Sequence, residues 1–205
     1  MKRNTIFGLL VVAIVAITVL NFLTVGENSE DYIERLETDR KDKNSFMLSS
    51  TSPLTEEDKR DFKGLNYYPI DENFKVTAKL TLIDKKQPIF IPSTTGEELK
   101  YIPFAYADFK INGSQQRVIL YQDWEEKDPN KLSLMFADDT SARETYGGGR
   151  YLDVQYRNTN AVTIDFNNAY NPYCHFNAEF SCPIPPRENM LDIAIEAGEK
   201  LYKVD

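Results

Sequence analysis

Histidine and cysteine are almost missing from this chain: one and two, respectively, in 205 residues. A closed zinc site needs four Cys or His ligands, or carboxylates in their place, so this poverty argues against one and no metal is expected. No excess of positive charge is present either. The 24 basic residues are outnumbered by 32 acidic ones, for a net charge of −8. Without a cationic surface to neutralise phosphates, nucleic acid is not an expected partner. Glycine is scarce beyond residue 26, where only Gly64, Gly96, Gly113, the Gly147-Gly148-Gly149 run and Gly198 remain. No internal repeat and no low-complexity tract occurs. With 41% hydrophobic and 27% charged residues, the chain has the composition of a globular protein.

What is present begins with a long apolar run, Ile6 to Leu23, preceded by Lys2 and Arg3. At about 1.5 Å of helix rise per residue, it is just long enough to cross ~30 Å of hydrocarbon. The cations before it and the acids from Glu27 to Glu37 after it orient the amino terminus to the cytoplasm and the bulk of the chain outside. A cleaved signal peptide is the competing reading, although Leu23-Thr24-Val25-Gly26 matches a small-x-small cleavage site poorly. Removing Lys2 and Arg3 leaves 22 basic against 32 acidic residues, or −10. Anionic headgroups repel such a domain, so the expected membrane partner contact is the N-terminal helix alone.

Three regions follow: an anchor or signal segment over 1–26, a charged helical stalk over 27–50 and a β-rich extracytoplasmic domain over 51–205. In the stalk, Asn28 or Ser29 can cap a helix whose stripe is Tyr32, Ile33 and Leu36. Ser52 to Asp58 reads as a loop and a short capped helix ending near Gly64. Lys75 to Ile83 alternates apolar and polar residues as a half-buried strand does. Ile89–Ile91, Tyr101–Ile111, Arg117–Tyr121, Lys131–Phe136, Tyr151–Tyr156, Ala161–Phe166 and the Leu191/Ile193/Ile195 alternation add further strands. Asn112-Gly113 is the strongest hairpin signal. The expected fold is mainly β within an α+β chain: an antiparallel barrel or sandwich of about seven or eight short strands behind a transmembrane helix and stalk.

Between Phe136 and Asn189 the composition changes. The glycine triplet, four of the ten prolines, the cluster Asn167, Asn168 and Asn171, and nine aromatics from Phe136 to Cys182 are concentrated there. Ordering such a stretch is costly, so the triplet serves a specific backbone path. Its strings are Glu144-Thr145-Tyr146-Gly147-Gly148-Gly149-Arg150-Tyr151-Leu152-Asp153, Asp165-Phe166-Asn167-Asn168-Ala169-Tyr170-Asn171-Pro172-Tyr173-Cys174, Cys182-Pro183-Ile184-Pro185-Pro186-Arg187-Glu188-Asn189 and Ala197-Gly198-Glu199-Lys200. Together with Ser52-Pro53-Leu54 and Phe62 to Pro69, they resemble a bacterial and archaeal family known as domain of unknown function 1684, over about Asp31 to Lys200. The resemblance implies no activity. His175 stands where that family suggests a small residue.

Several chemistries can be read from these residues. Gly147–Gly149 with Arg150 suits an anion-binding nest, or else a packed turn with Arg150 paired to Glu144 or Asp153. The acids Asp138, Asp139, Glu144, Asp153, Asp165 and Glu188 suit a carboxylate pair or, with Asn167 and Asn171, a cation site; turn-forming roles compete. Cys174 and Cys182, spaced C-x₇-C outside the cytoplasm, are expected to form a disulfide worth roughly 2–3 kcal/mol, with two free thiols or part of a metal site as the alternatives. A Cys174–His175 nucleophilic pair is disfavoured, because adjacent side chains diverge. Trp124 is expected to plug the core.

Without a complete catalytic set the residues lean away from an enzyme, and no cofactor is expected. The expected function is binding of a small ligand or envelope partner through Tyr146–Asp153 and Asp165–Asn189. Glu144, Tyr146, Arg150, Asp153, Asp165, Asn167 and Asn171 are the candidate ligand-binding residues. A carboxylate-based hydrolase and a purely structural envelope protein are the alternatives.

Overall fold

The computed structural model describes residues 28–202. The expected anchor, Ile6 to Leu23, lies outside them. Among the described residues no helix is long and apolar enough to cross a membrane. The chain divides into two units, up to Asp39 and from Arg40 onward. The first holds the opening turns of helix α1 (Ser29–Met47). Asn28 caps that helix by accepting the Asp31 N–H at 2.9 Å. Ile33, one of the three residues of the expected stripe, is exposed.

The second unit contains the rest of α1, which is helical as expected of a stalk over 27–50 but is not solvated all round. Met47 is fully buried, Asn44 accepts the Leu65 N–H at 2.8 Å, and Lys43 pairs with buried Glu199 at 2.5 Å. Arg40 donates to the Tyr68 carbonyl at 3.1 Å and lies over the Tyr67 ring. Two members of the charge run that suggested solvation, Arg40 and Lys43, thus find partners in the β-rich domain, while Lys41 and Asp42 between them are exposed. Helix α2 (Glu56–Asp61) follows, with Thr55 accepting the Asp58 N–H.

Seven strands come next: β1 (Lys75–Leu82), β2 (Ile89–Pro92), β3 (Glu98–Ile111), β4 (Ser114–Asp123), β5 (Lys131–Phe136), β6 (Arg150–Gln155) and β7 (Ala161–Asp165). They form one antiparallel sheet in the order β6-β5-β4-β3-β1-β7, with β2 beside β3. The end strands β6 and β7 approach each other, so the sheet curls into a nearly closed barrel. The β3–β4 hairpin turns at Asn112 and Gly113, with φ of 48° and 81°, the two positive values that a type I′ turn requires.

Alternation sorts the residues. Ala78 and Leu80 of β1, Phe109 and Ile111 of β3, Val118 and Leu120 of β4, Leu132 and Leu134 of β5, Leu152 and Val154 of β6, and Val162 and Ile164 of β7 fill the barrel. The opposite parity of β4 contributes Ile119 and Tyr121 to a smaller apolar cluster with Ile91, Tyr101 and Met135.

Two expectations fail here. Leu191 to Ile195 is not a strand, although Leu191 and Ile195 are buried. Its backbone groups are taken one by one: Leu191 N–H by the Ala137 carbonyl, Ile193 O by the Asp139 N–H, and Ile195 O by Arg150. Trp124 does not plug the core; it is 50% exposed, with the Lys100 ammonium 3.2 Å from its ring centroid.

Candidate functional site

The tight turn ahead of β6 explains the glycine triplet. Gly149 has a φ of +85°, and a Cβ there would stand 2.6 Å from the Phe136 carbonyl oxygen and 2.5 Å from Pro185 Cγ. Only glycine allows that approach. Its N–H is donated to the Tyr146 carbonyl at 3.0 Å, so it is not free for an anion.

The turn delivers Arg150 into the barrel end. Arg150 is fully buried and pairs with Asp138, its Nη2 donating at 2.8 Å. The partner is neither Glu144 nor Asp153. In β6, residues 150 and 152 face the interior while 151 and 153 face outward. Arg150 also donates to the carbonyls of Ile195, Ala197 and Glu199. Asp138 in turn accepts from the Thr140 N–H at 2.7 Å and the Thr140 hydroxyl at 2.6 Å. A guanidinium held this way fastens the C-terminal segment to the barrel and offers no face to solvent.

The remaining candidate residues are brought to different places. Asp153 is outward, 3.2 Å from Lys131 and 3.3 Å from the Tyr170 hydroxyl. Asp165 caps a 3₁₀ turn, accepting the Asn167 N–H at 3.1 Å. Asn167 is buried and clasps Asp71, accepting its N–H and donating to its carbonyl. Asn171 is buried, its N–H donated to Glu199 Oε2 and its amide to the Lys200 carbonyl. Glu144 is exposed, and its carbonyl accepts the Leu201 N–H. Tyr146 is half-buried; burial, with the neighbouring Cys174, pushes its hydroxyl up to about 12. The acids thus serve separate partners. Among the described residues, no group of three or more His, Cys, Asp or Glu is placed to hold a metal ion.

An open concavity lies beside this framework. It is a cleft of ≈ 680 Å³ between α1 and the strip that runs from β6 through residues 170–183. Its walls are Phe46, Tyr151, Tyr170, Tyr173 and Phe180, with Cys182 also lining it and Asp42 and Lys43 beside Phe46. The rings brace one another: Phe46 stacks on Tyr173 at 6.4 Å, and Tyr173 meets Phe180 edge-on at 5.3 Å. Tyr151 meets Tyr170 edge-on at 6.0 Å. The Tyr151 hydroxyl donates to the Pro183 carbonyl at 2.5 Å, and Tyr170 carries the Lys43 ammonium 4.6 Å from its centroid. Burial raises both phenols well above the usual tyrosine range, so they stay neutral. Asp42 is exposed.

Tyr151, Tyr170, Tyr173 and Phe180 fall within the expected segments Tyr146–Asp153 and Asp165–Asn189, but none of these rings was a candidate residue. The signal that could have found these four was the density of aromatics from Phe136 to Cys182. Phe46 and Lys43 carried no such mark.

The two thiols are free in this structure, in place of the expected disulfide. They are nevertheless neighbours: the Cys174 N–H donates to Cys182 Sγ at 3.2 Å. His175 turns away from Cys174. Its Nε2 accepts the Tyr202 N–H at 3.1 Å and its ring packs on Tyr146. Burial lowers its pKa to about 4.

A sequence model of the family described as "Protein of unknown function (DUF1684)" matches residues 60–200. The chain belongs to this family. No curated protein matches it. Among solved structures, this DUF1684 member is similar to an uncharacterized protein from gene locus rrnAC0354 of Haloarcula marismortui, solved by NMR in solution. Identity is 29% and the TM-score 0.68, over 86% of this chain and 97% of that one.

Proposed function

We propose that this DUF1684 protein is a ligand-binding domain, tethered to a membrane by Ile6–Leu23 and facing out of the cytoplasm, whose site is the aromatic cleft. The cleft itself carries the reading. Its ≈ 680 Å³ is the size of a small-molecule site, and its walls are braced aromatic rings with few polar groups. Such walls suit a small molecule with a planar or apolar body. Rings already packed against each other lose little freedom on binding. Lys43 is committed to Glu199, which leaves Asp42 as the charge the rim can offer, and that favours a ligand bearing a positive group. The tether rests on the Lys2–Arg3 and apolar-run pattern alone.

The test is a calorimetric screen of aromatic amines and other planar small molecules against the full chain. Saturable binding is expected. The exposed rings Tyr173 and Phe180 can be removed singly, and Tyr173→Ala or Phe180→Ala should weaken binding at least ~10-fold while leaving the fold intact. Binding that survives both substitutions places the site elsewhere.

A further inference from the structure

Cys174 and Cys182 form a cluster that the cleft reading leaves unused. Cys174 sits in the single 3₁₀ turn Tyr173–His175. Cys182 is held on a segment laced to the strand end at Thr94: the Thr94 N–H donates to the Cys182 carbonyl at 2.9 Å, and the Cys182 N–H donates to the Thr94 hydroxyl at 3.2 Å. The two segments meet at the sulfur of Cys182, which accepts the Cys174 N–H at 3.2 Å. Cys174 is the more exposed, while Cys182 is buried against the wall of the cleft.

Their surroundings differ in a chemically useful way. Beside Cys174 stand the Cys182 thiol, whose sulfur accepts the Cys174 N–H at 3.2 Å, and the Tyr146 hydroxyl, which donates to Cys174 Sγ at 3.8 Å. These neighbours stabilise a thiolate and draw the Cys174 pKa below the usual thiol range. Cys182 is pushed up, first by its bond to Cys174 and then by burial. No base is involved, since the His175 Nε2 is occupied by Tyr202.

We propose that Cys174 and Cys182 are a redox-active dithiol that exchanges with small disulfides, with Cys174 as the attacking sulfur and Cys182 as the resolving one. The Cys174 thiolate attacks one sulfur of a disulfide R–S–S–R, forming a mixed disulfide and expelling RS⁻. Cys182 then loses its proton to solvent and attacks Cys174 Sγ. The Cys174–Cys182 bond forms and a second RS⁻ leaves. Two electrons pass from the pair to the reagent, and the two protons the cysteines give up match the two that RS⁻ takes up. This assignment is independent of what the cleft binds.

The experiment equilibrates the reduced full chain in mixtures of reduced and oxidised glutathione, quenches with an alkylating agent and maps the label by mass spectrometry. Both cysteines should lose their label together in one transition as the buffer becomes oxidising. Cys182→Ser should accumulate glutathione on Cys174, and Cys174→Ser should react at least ~10-fold more slowly. Two cysteines alkylated in every buffer, a lasting mixed disulfide on the unsubstituted chain, or equal trapping by the two variants overturns the proposal. Should either variant fail to fold, timed alkylation of the reduced unsubstituted chain at pH 7 decides the assignment. Cys174 labelling first supports it, and equal or reversed order overturns it.

Discussion

Arg150 shows how a residue with the chemistry of a ligand site becomes a fastener. Its ion pair with Asp138 is fully buried, and its other donors hold carbonyls of the C-terminal segment. Removing it leaves a buried carboxylate without its cation and several carbonyls without donors. Arg150→Met should therefore cost about 3–5 kcal/mol, read as a lowered urea midpoint. Arg150→Lys should not restore it, because an ammonium cannot reach the same spread of acceptors. The burial of Arg150 was readable in outline from strand parity, which sets it on the face of Leu152 and opposite Asp153. Its partner was not, because Asp138 lies across a turn whose path Gly149 decides. His175 supports a second prediction. Its pKa falls from an ordinary 6.5 to about 4 on folding, so the unfolded chain binds the proton more readily. Stability should be intact above pH 6.5 and decline as pH falls toward 4, by about 1–2 kcal/mol after allowance for partial exposure. His175→Phe should flatten that limb of a melting-temperature profile.

At the scale of elements, one side chain does the work of a ladder rung. Strands β4 and β5 are in register at Tyr121 and Ser133, and two residues along, that register would pair Ile119 with Met135. Instead, buried Asn189 lies between them. It accepts the Ile119 N–H at 2.7 Å and donates to the carbonyls of Ile119 at 2.9 Å and Met135 at 2.8 Å. Asn189→Ala should cost about 2–4 kcal/mol by stranding three buried backbone groups, and hydrogen exchange at Ile119 should accelerate with it. The strands themselves were legible, because each buries one face and period-2 alternation marks that plainly in Lys75–Leu82 and Ala161–Asp165. The same alternation misled at Leu191–Ile195, where burial of alternate residues is met by a chain whose backbone bonds go to Arg150 and to loop groups. Asn189 could not be read as a rung, since its partners lie far away in sequence.

Across the described molecule, the polar framework and the cleft are built from different residues. The dense motifs build the framework: Arg150 with Asp138, Asn167 with Asp71, Asn171 with Glu199, and Asn189 between β4 and β5. Tyr151, Tyr170, Tyr173 and Phe180, interleaved with them, wall the cleft, while Phe166 fills the core. That division was half legible. The segment from Phe136 to Asn189 stood out by composition, but a cleft that stacks Phe46 on Tyr173 is made only when distant segments meet. The central claim, that the rings are the site and the polar motif residues are the frame, is tested most directly by amide chemical-shift mapping of the full chain during titration with a molecule found to bind. Signals of Phe46, Tyr151, Tyr173, Phe180 and Cys182 should move together and saturate. Shifts centred on Glu144, Asp165 and Asn167, with the cleft residues unmoved, would contradict the claim.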